Sequence, residues 1–396
     1  MHDLGSALSG RGPSPLMLGG GNPAHIPELE RLWAERLQAI ASDGELLRRT
    51  TAIYDPPRGN TGFLEALADL LHRELAWDVT AENIAITPGG QTAFYFLFNL
   101  FGGTRPDGSP ARIHFPLVPE YIGYADQGLE PGMFTATRPW IETLGDHRFK
   151  YAVDFSALAI DSSTSALCVS RPTNPSGNLL TDAEMRHLAD LAALNDIPLL
   201  IDNAYGLPFP GVVHRPATSL WTPHTVHVMS LSKFGLPGTR TAFVVGPPEI
   251  AQAVSSMMAV TGLANGNFGQ AMTAPLVANG EIARLSREVV QPFYRRKRDH
   301  ALDAVARHFP DSAPYRLHEC EGAFFLWLWM EGSRRPSREI YEALKADGVL
   351  VVPGEYFFFG DPDPTWRHRH ECLRISFAMD DATVDEGLAR IARCCF

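Results

Sequence analysis

Six short apolar runs, each closing on a loop of glycine, proline or polar residues, constrain this chain most. They lie at 84–87, 111–118, 166–170, 197–201, 225–229 and 241–245. Helical spacing fills the intervals: 61–75 before the first run, 91 onward after it, and a segment from Thr181, where Thr181 and Glu184 stand in capping-box positions. Strands and helices alternating at these lengths suit crossover connections, so the expected fold is α/β with a mostly parallel sheet. Such sheets bind ligands outside the carboxyl ends of their strands. The residues just past each run are therefore where function should be sought.

The richest of these is 230–240, SLSKFGLPGTR. Lys233 leaves a strand-like run, and a dry pocket there disfavours its charged form and frees the amine to attack a carbonyl. Gly235, Pro237 and Gly238 make a turn that brings Arg240 back, a planar fork suited to phosphate. An amine nucleophile beside a phosphate site is what pyridoxal phosphate requires. A surface lysine after a strand is the plainer alternative. The run at 197–201 delivers Asp202, followed by Asn203, Ala204 and Tyr205. A carboxylate at the end of a buried strand must meet a cation or a strong donor.

Other strand ends add weaker signals. Pro88, Gly89 and Gly90 precede a helix beginning near Gln91, so free amides and the positive end of the helix dipole converge on one spot. Tyr121 and Tyr124 follow the run at 111–118, placed either to stack on a flat cofactor or to pack into the core. Asn174 sits in RPTNPSG, a proline-stiffened loop. Tyr54 lies in a second stiff turn, YDPPRG. Three glycines at 19–21 permit close backbone approach but lack the GK[ST] of a nucleotide loop. From about residue 281 come a long arginine-rich helical stretch at 281–308, an apolar run at 322–330, a helix at 337–347 and a strand at 349–352. Arg374 stands in apolar company there, calling for a substrate carboxylate or an internal salt bridge. His368, His370 and Cys372 alternate as if on one strand, but without a fourth ligand or a CxxC pair they do not make a metal site.

Composition bounds the rest. A chain of 396 residues exceeds the ~250–300 at which a single core splits, so two domains are expected. A formal charge of -11 argues against nucleic acid and anionic membranes as partners. No apolar run approaches a membrane span, and the first fifteen residues, expected to form an arm, lack the features of a secretory signal. Five scattered cysteines suit reduced thiols in a cytoplasm.

Taken together, PGGQTA, PEYIGY, RPTNPSG, IDNAY, SLSKFGLPGTR and LRISF occur in the order seen in class I/II aminotransferases of PLP fold type I, which the chain resembles over nearly its whole length. LGGGNPAHIPE, FPLVPEYIGYADQGLE and EGAFFLWLW are closest to the valine–pyruvate branch of that family. The resemblance implies a Schiff base between Lys233 and pyridoxal 5'-phosphate, with Asp202 on the pyridine nitrogen. It implies Asn174 and Tyr205 on the ring oxygen, Tyr121 on the ring face, and Gly90, Gln91, Ser230, Ser232 and Arg240 on the phosphate. Tyr54 would reach the phosphate of a second copy, hence a homodimer with shared sites. Arg374 would grip the substrate carboxylate, with Gly20 and Asn174 beside it. The implied domains are an N-terminal segment (1–53), a large PLP-binding domain (54–280) and a small C-terminal domain (281–396). The implied reaction moves an amino group between valine, or a similar neutral amino acid, and pyruvate. The same residues would also serve elimination or carbon–carbon bond formation on an amino acid such as S-adenosylmethionine. The segment 261–270, TGLANGNFGQ, fits poorly: two asparagines and a phenylalanine are unexpected near a site for small aliphatic substrates.

Overall fold

The computed structural model describes residues 15–396, so the expected N-terminal arm lies, apart from Pro15, outside the described residues. The first strands are β1 (Leu16–Met17), β2 (Ile84–Thr87), β3 (Gly103–Thr104), β4 (Pro110–Phe115) and β5 (Phe134–Ala136). Then come β6 (Trp140–Thr143), β7 (Arg148–Ala152), β8 (Thr164–Ser170), β9 (Leu199–Asp202), β10 (Thr225–Ser230) and β11 (Ala242–Val245). The C-terminal part adds β12 (Arg316–His318), β13 (Phe325–Trp329), β14 (Val349–Leu350), β15 (Val352–Pro353) and β16 (Cys372–Ser376).

All six expected strands join one sheet, in the order β2-β11-β10-β9-β8-β4-β3 with β5 also on β4. The neighbours β10, β9, β8, β4 and β5 run parallel. Only β11 and the short β3 run against their neighbours. For β11 the cause is local: residues 231–241, which hold only two short 3-10 turns, join it to β10 without a crossover helix, and a connection of that kind favours antiparallel pairing. The sheet is buried on both faces. Ile84, Ile86, Met229, Phe243 and Val245 pack into one hydrophobic core, whereas Ala85, Val226, Val228 and Val244 pack into the other. This period-two division explains why the strands read as continuous apolar runs rather than alternating ones.

A second sheet has the order β15-β16-β13-β12-β7-β6. It recruits the β6–β7 hairpin from the middle of the chain, where β7 runs parallel to β12. The first strand, β1, pairs with β14, tying the N-terminal segment to the C-terminal part. The expected long helix runs as Glu281–Leu285, a π segment at Ser286–Val290, and Gln291–His308. Pro292 opens the last of these, where its missing N–H and its ring are tolerated.

One expectation fails. His368 and His370 lie on a short helix, Arg367–His370, and only Cys372 is on the strand. The chain turns at Glu371, so the three do not share a strand face. His368 is buried with Nε2 2.5 Å from the Tyr151 hydroxyl, and His370 Nδ1 lies 3.0 Å from Glu355. Among the described residues no group of three or more His, Cys, Asp or Glu could hold a metal ion.

Candidate active site

Because the parallel strands share a direction, their carboxyl ends open onto one cavity of about 480 Å³. Its walls bring together Gly90, Gln91, Tyr121, Asn174, Asp202, Tyr205, Ser230, Ser232, Lys233, Arg240 and Arg374. Residues more than 280 positions apart in sequence thus meet in one place. The interior also contains Phe94, Ile122 and Val352, which supply apolar wall.

Lys233 leaves β10 on a short 3-10 turn, Ser232–Phe234. Its Nζ donates to the Gly21 carbonyl at 2.5 Å and stands 5.6 Å from the ring centres of Tyr205 and Phe324. Burial, reinforced by the Arg374 charge, lowers its pKa to about 8. An amine held there is available as a nucleophile and base near neutrality. Asp202 accepts a short hydrogen bond from the Tyr124 hydroxyl and another from the Ala204 N–H at 2.9 Å. Burial raises its pKa, opposed by Tyr124, the Ala204 amide and the Lys233 charge. Among the described residues no arginine or lysine forms an ion pair with this carboxylate, so the partner it calls for is a cation inside the cavity.

Arg374 projects from β16, 4% exposed, with Nη1 donating to Asn174 Oδ1 at 2.9 Å and Nη2 to the Gly19 carbonyl at 2.7 Å. The ring of Phe325 lies 4.5 Å below its guanidinium carbon. Its Nε has no partner, and no carboxylate among the described residues pairs with it. The salt bridge left open by the sequence is therefore not made. Burial lowers the pKa of Arg374 to about 10. A buried cation without an anion is costly until a ligand carboxylate supplies one.

The third feature is an anion cradle. The helix Gly90–Phe101 begins after Gly89, which has φ +89 and offers no side-chain cap, so the first amides of the helix are left for a ligand. Arg240, in the left-handed conformation at φ 47, reaches back to donate to the Pro88 carbonyl at 3.3 Å. A Cβ on Gly89 would meet Arg240 Nη2 at 2.1 Å, so glycine is needed for that approach. Ser230 and Ser232 hydroxyls lie 3.0 Å apart beside the same turn. These groups fit a phosphate, and Asp202 and Lys233 fit a pyridine nitrogen and an aldehyde. The residues present therefore suit pyridoxal phosphate.

One expected residue falls elsewhere, and Tyr54, expected at the phosphate of a second copy, lies apart from this cavity. Gly20 does not line the cavity; the carbonyls that approach the site belong to Gly19 and Gly21. Tyr54 is 79% exposed and stands outside the cavity. The puzzling 261–270 segment braces that region. Asn265 Nδ2 donates to the Pro57 and Ile86 carbonyls at 2.8 and 3.0 Å, and Asn267 Nδ2 to Arg49 and Ile53 at 3.1 and 2.9 Å. The asparagines are buttresses for the Tyr54 turn, their Nδ2 groups spent on backbone carbonyls, while Phe268 of the same segment is exposed. Sequence alone did not pair Tyr124 with Asp202. Its only signal was its position three residues after Tyr121, which puts both on the turn beside Asp202.

The chain matches Aminotransferase class I and II over residues 131–391. The chain belongs to this family. This aminotransferase is 43% identical to valine–pyruvate aminotransferase of Escherichia coli strain K12 over 99% of its own length and 93% of the relative's. A putative amino-acid aminotransferase from Psychrobacter arcticum superposes with a TM-score of 0.96 at 43% identity, covering 100% of this chain and 94% of that one. The valine–pyruvate aminotransferase of Salmonella typhimurium LT2 gives 0.91 at 41% identity, covering 100% and 98%. The fold is PLP fold type I, and the enzyme is a PLP-dependent aminotransferase.

Proposed function

We propose that this aminotransferase exchanges an amino group between valine, or a similar neutral amino acid, and pyruvate. The Arg374 guanidinium carries the reading: it sits in the same cavity as Lys233 and Asp202, deeply buried, and no carboxylate among the described residues is paired with it. Its fork takes a single α-carboxylate, while Ile122, Val352 and Pro353 offer apolar surface to an aliphatic side chain. The match to valine–pyruvate aminotransferases supports the same substrate pair.

Pyridoxal phosphate, when bound, supplies a carbonyl carbon for the substrate amine and a ring that stores the electron pair released at the substrate Cα. Lys233 contributes the amine that anchors the cofactor and then the base that carries the Cα proton. Asp202, held by Tyr124 and the Ala204 amide, keeps a proton at the ring nitrogen. Asn174 spends its oxygen on Arg374, which leaves its Nδ2 as donor for the ring oxygen alongside the Tyr205 hydroxyl. Tyr121 covers the ring face. The amides of Gly90 and Gln91, with Ser230, Ser232 and Arg240, hold the phosphate.

Exposed Tyr54, on its braced turn, is assigned to the phosphate of a second copy, so the working unit is a homodimer. Residues 54–280 are grouped as the cofactor domain, and 281–396 with the N-terminal segment as the small domain. The β1–β14 pairing supports that grouping, whereas the β6–β7 hairpin crosses it. Five unpaired cysteines fit a reducing compartment, the cytoplasm. The test is a half-reaction with each amino acid in turn, with products identified by mass. Valine or alanine should give its 2-oxo acid and the aminated cofactor, and Lys233→Ala should abolish this. Turnover confined to aspartate or glutamate would overturn the substrate assignment.

A further inference from the structure

A second buried carboxylate lies directly behind the site and has no part in the chemistry above. Glu120 is 1% exposed and precedes Tyr121 in the turn that follows β4. One carboxyl oxygen accepts from the Ser170 N–H at 2.7 Å. The other meets the Ser170 hydroxyl in a short hydrogen bond and accepts from the Tyr121 N–H at 3.2 Å. Its own N–H donates to the Phe357 carbonyl at 2.9 Å. Among the described residues no lysine or arginine pairs with it. The titratable groups around it are Asp202, Tyr124 and Cys168.

The placement matters because of what Ser170 and Tyr121 carry. Ser170 ends β8 directly opposite Asp202 in the parallel register, and the next residue, Arg171, donates its N–H to the Asp202 carbonyl at 2.9 Å. The Ser170 carbonyl accepts from Thr173 Oγ1 at 2.9 Å, fixing the start of the loop that holds Asn174. On the other side, Tyr121 and Tyr124 pack edge to face with ring centres 5.2 Å apart, and Tyr124 is the donor to Asp202. Glu120 is thus the side chain that joins the two strand-end turns.

We propose that Glu120 is a positioning residue of the transamination site, a clamp that sets where Tyr121, Tyr124 and the Asn174 loop stand around the cofactor. Its two carboxyl oxygens meet every partner at once: Oε1 accepts from the Ser170 N–H, while Oε2 accepts from the Ser170 hydroxyl and from the Tyr121 N–H. Burial and the neighbouring Asp202 charge raise the pKa of Glu120 to about 8, opposed by the hydrogen bonds from Ser170 and Tyr121.

Glutamine has the same shape but cannot substitute. In either orientation its NH₂ group faces one of the two amide N–H groups, donor against donor. Displacements near 1 Å in a positioned site cost on the order of 100-fold in rate. For Glu120→Gln, kcat should fall at least tenfold while KM for the amino acid changes less. The dissociation constant for pyridoxal phosphate, titrated on the apoprotein, should rise at least threefold. A Glu120→Gln protein with lowered thermal stability but with kcat and cofactor affinity within twofold of wild type would reduce Glu120 to a structural residue and overturn the proposal. If that variant does not fold, Glu120→Asp keeps a carboxyl group too short to span both amides. It should show the same two losses, and wild-type values would be equally fatal. The inference rests on the cofactor assignment but not on valine. The cofactor titration needs no amino acid, so its failure is distinct from failure of the valine–pyruvate reading.

Discussion

Replacing Arg374 by methionine should separate substrate recognition from stability. In the free enzyme the guanidinium is buried without an anion, and its pKa of about 10 against 12.5 corresponds to about 3 kcal/mol opposing the charged form. Methionine removes that cost. It also removes hydrogen bonds to Asn174 Oδ1 and the Gly19 carbonyl, each worth about 1.5–3 kcal/mol when the donor is charged. The two effects oppose each other, so the melting temperature of the substrate-free protein should move by only a few degrees. The substrate complex behaves differently, because the carboxylate enters a buried site whose matching cation is gone. Truncating one partner of such a pair costs about 2–5 kcal/mol, which is roughly 30- to 5000-fold in kcat/KM. The assay is steady-state kinetics with the preferred amino acid, set beside thermal unfolding of the apoprotein and holoenzyme. A kcat/KM within about threefold of wild type would refute the reasoning. So would a collapse in stability with normal kinetics in the folded fraction, since Arg374 would then be structural.

Gly89→Ala should lower cofactor affinity at least tenfold and stability by about 1–3 kcal/mol, because φ +89 suits glycine and the new Cβ displaces Arg240 from the anion cradle. Cofactor titration and thermal unfolding check both halves, and unchanged affinity would remove Arg240 from the phosphate site. Stability should also fall in mild acid. Burial holds His227 at about 4 and His318 and His368 at about 3, below the 6.5 of the unfolded chain. A base with a depressed folded pKa contributes stability that is present above 6.5 and lost as pH falls towards those values, about 1.4 kcal/mol per pH unit for each group. Glu120, raised from 4.5 to about 8, acts in the opposite sense between those limits and offsets about one histidine. Urea unfolding at pH 7 and pH 5 should therefore show a net loss of several kcal/mol at pH 5; equal values would contradict the buried, neutral histidines.

Much of this molecule was legible in its residues because the relevant physics is local. Apolar runs of four to eight residues closed by glycine and proline specify strands buried on both faces, and parallel strands gather their C-terminal loops at one edge. Lys233, Asp202, Asn174 and Arg240 could therefore be named as neighbours without coordinates. The capping box at Thr181 and the helix Thr61–Leu75 formed where their local signals lie. What sequence could not supply were relations that depend on side-chain direction or on strands distant in the chain. The β6–β7 hairpin joins the C-terminal sheet because its partner, β12, begins more than 160 residues later. The period-two reading of His368 and His370 failed because a helical turn precedes the strand.

Residue types alone determined that this chain builds an α/β sheet with an amine, a carboxylate and an anion cradle at its strand ends, since each depends on a few consecutive residues. Tertiary structure decided who answers whom: Tyr124 donates to Asp202, Asn265 and Asn267 buttress the Tyr54 turn, Glu120 clamps two loops, and no carboxylate among the described residues is paired with Arg374. Those facts rest on which polar groups are satisfied once water is excluded, and only the closed fold decides that.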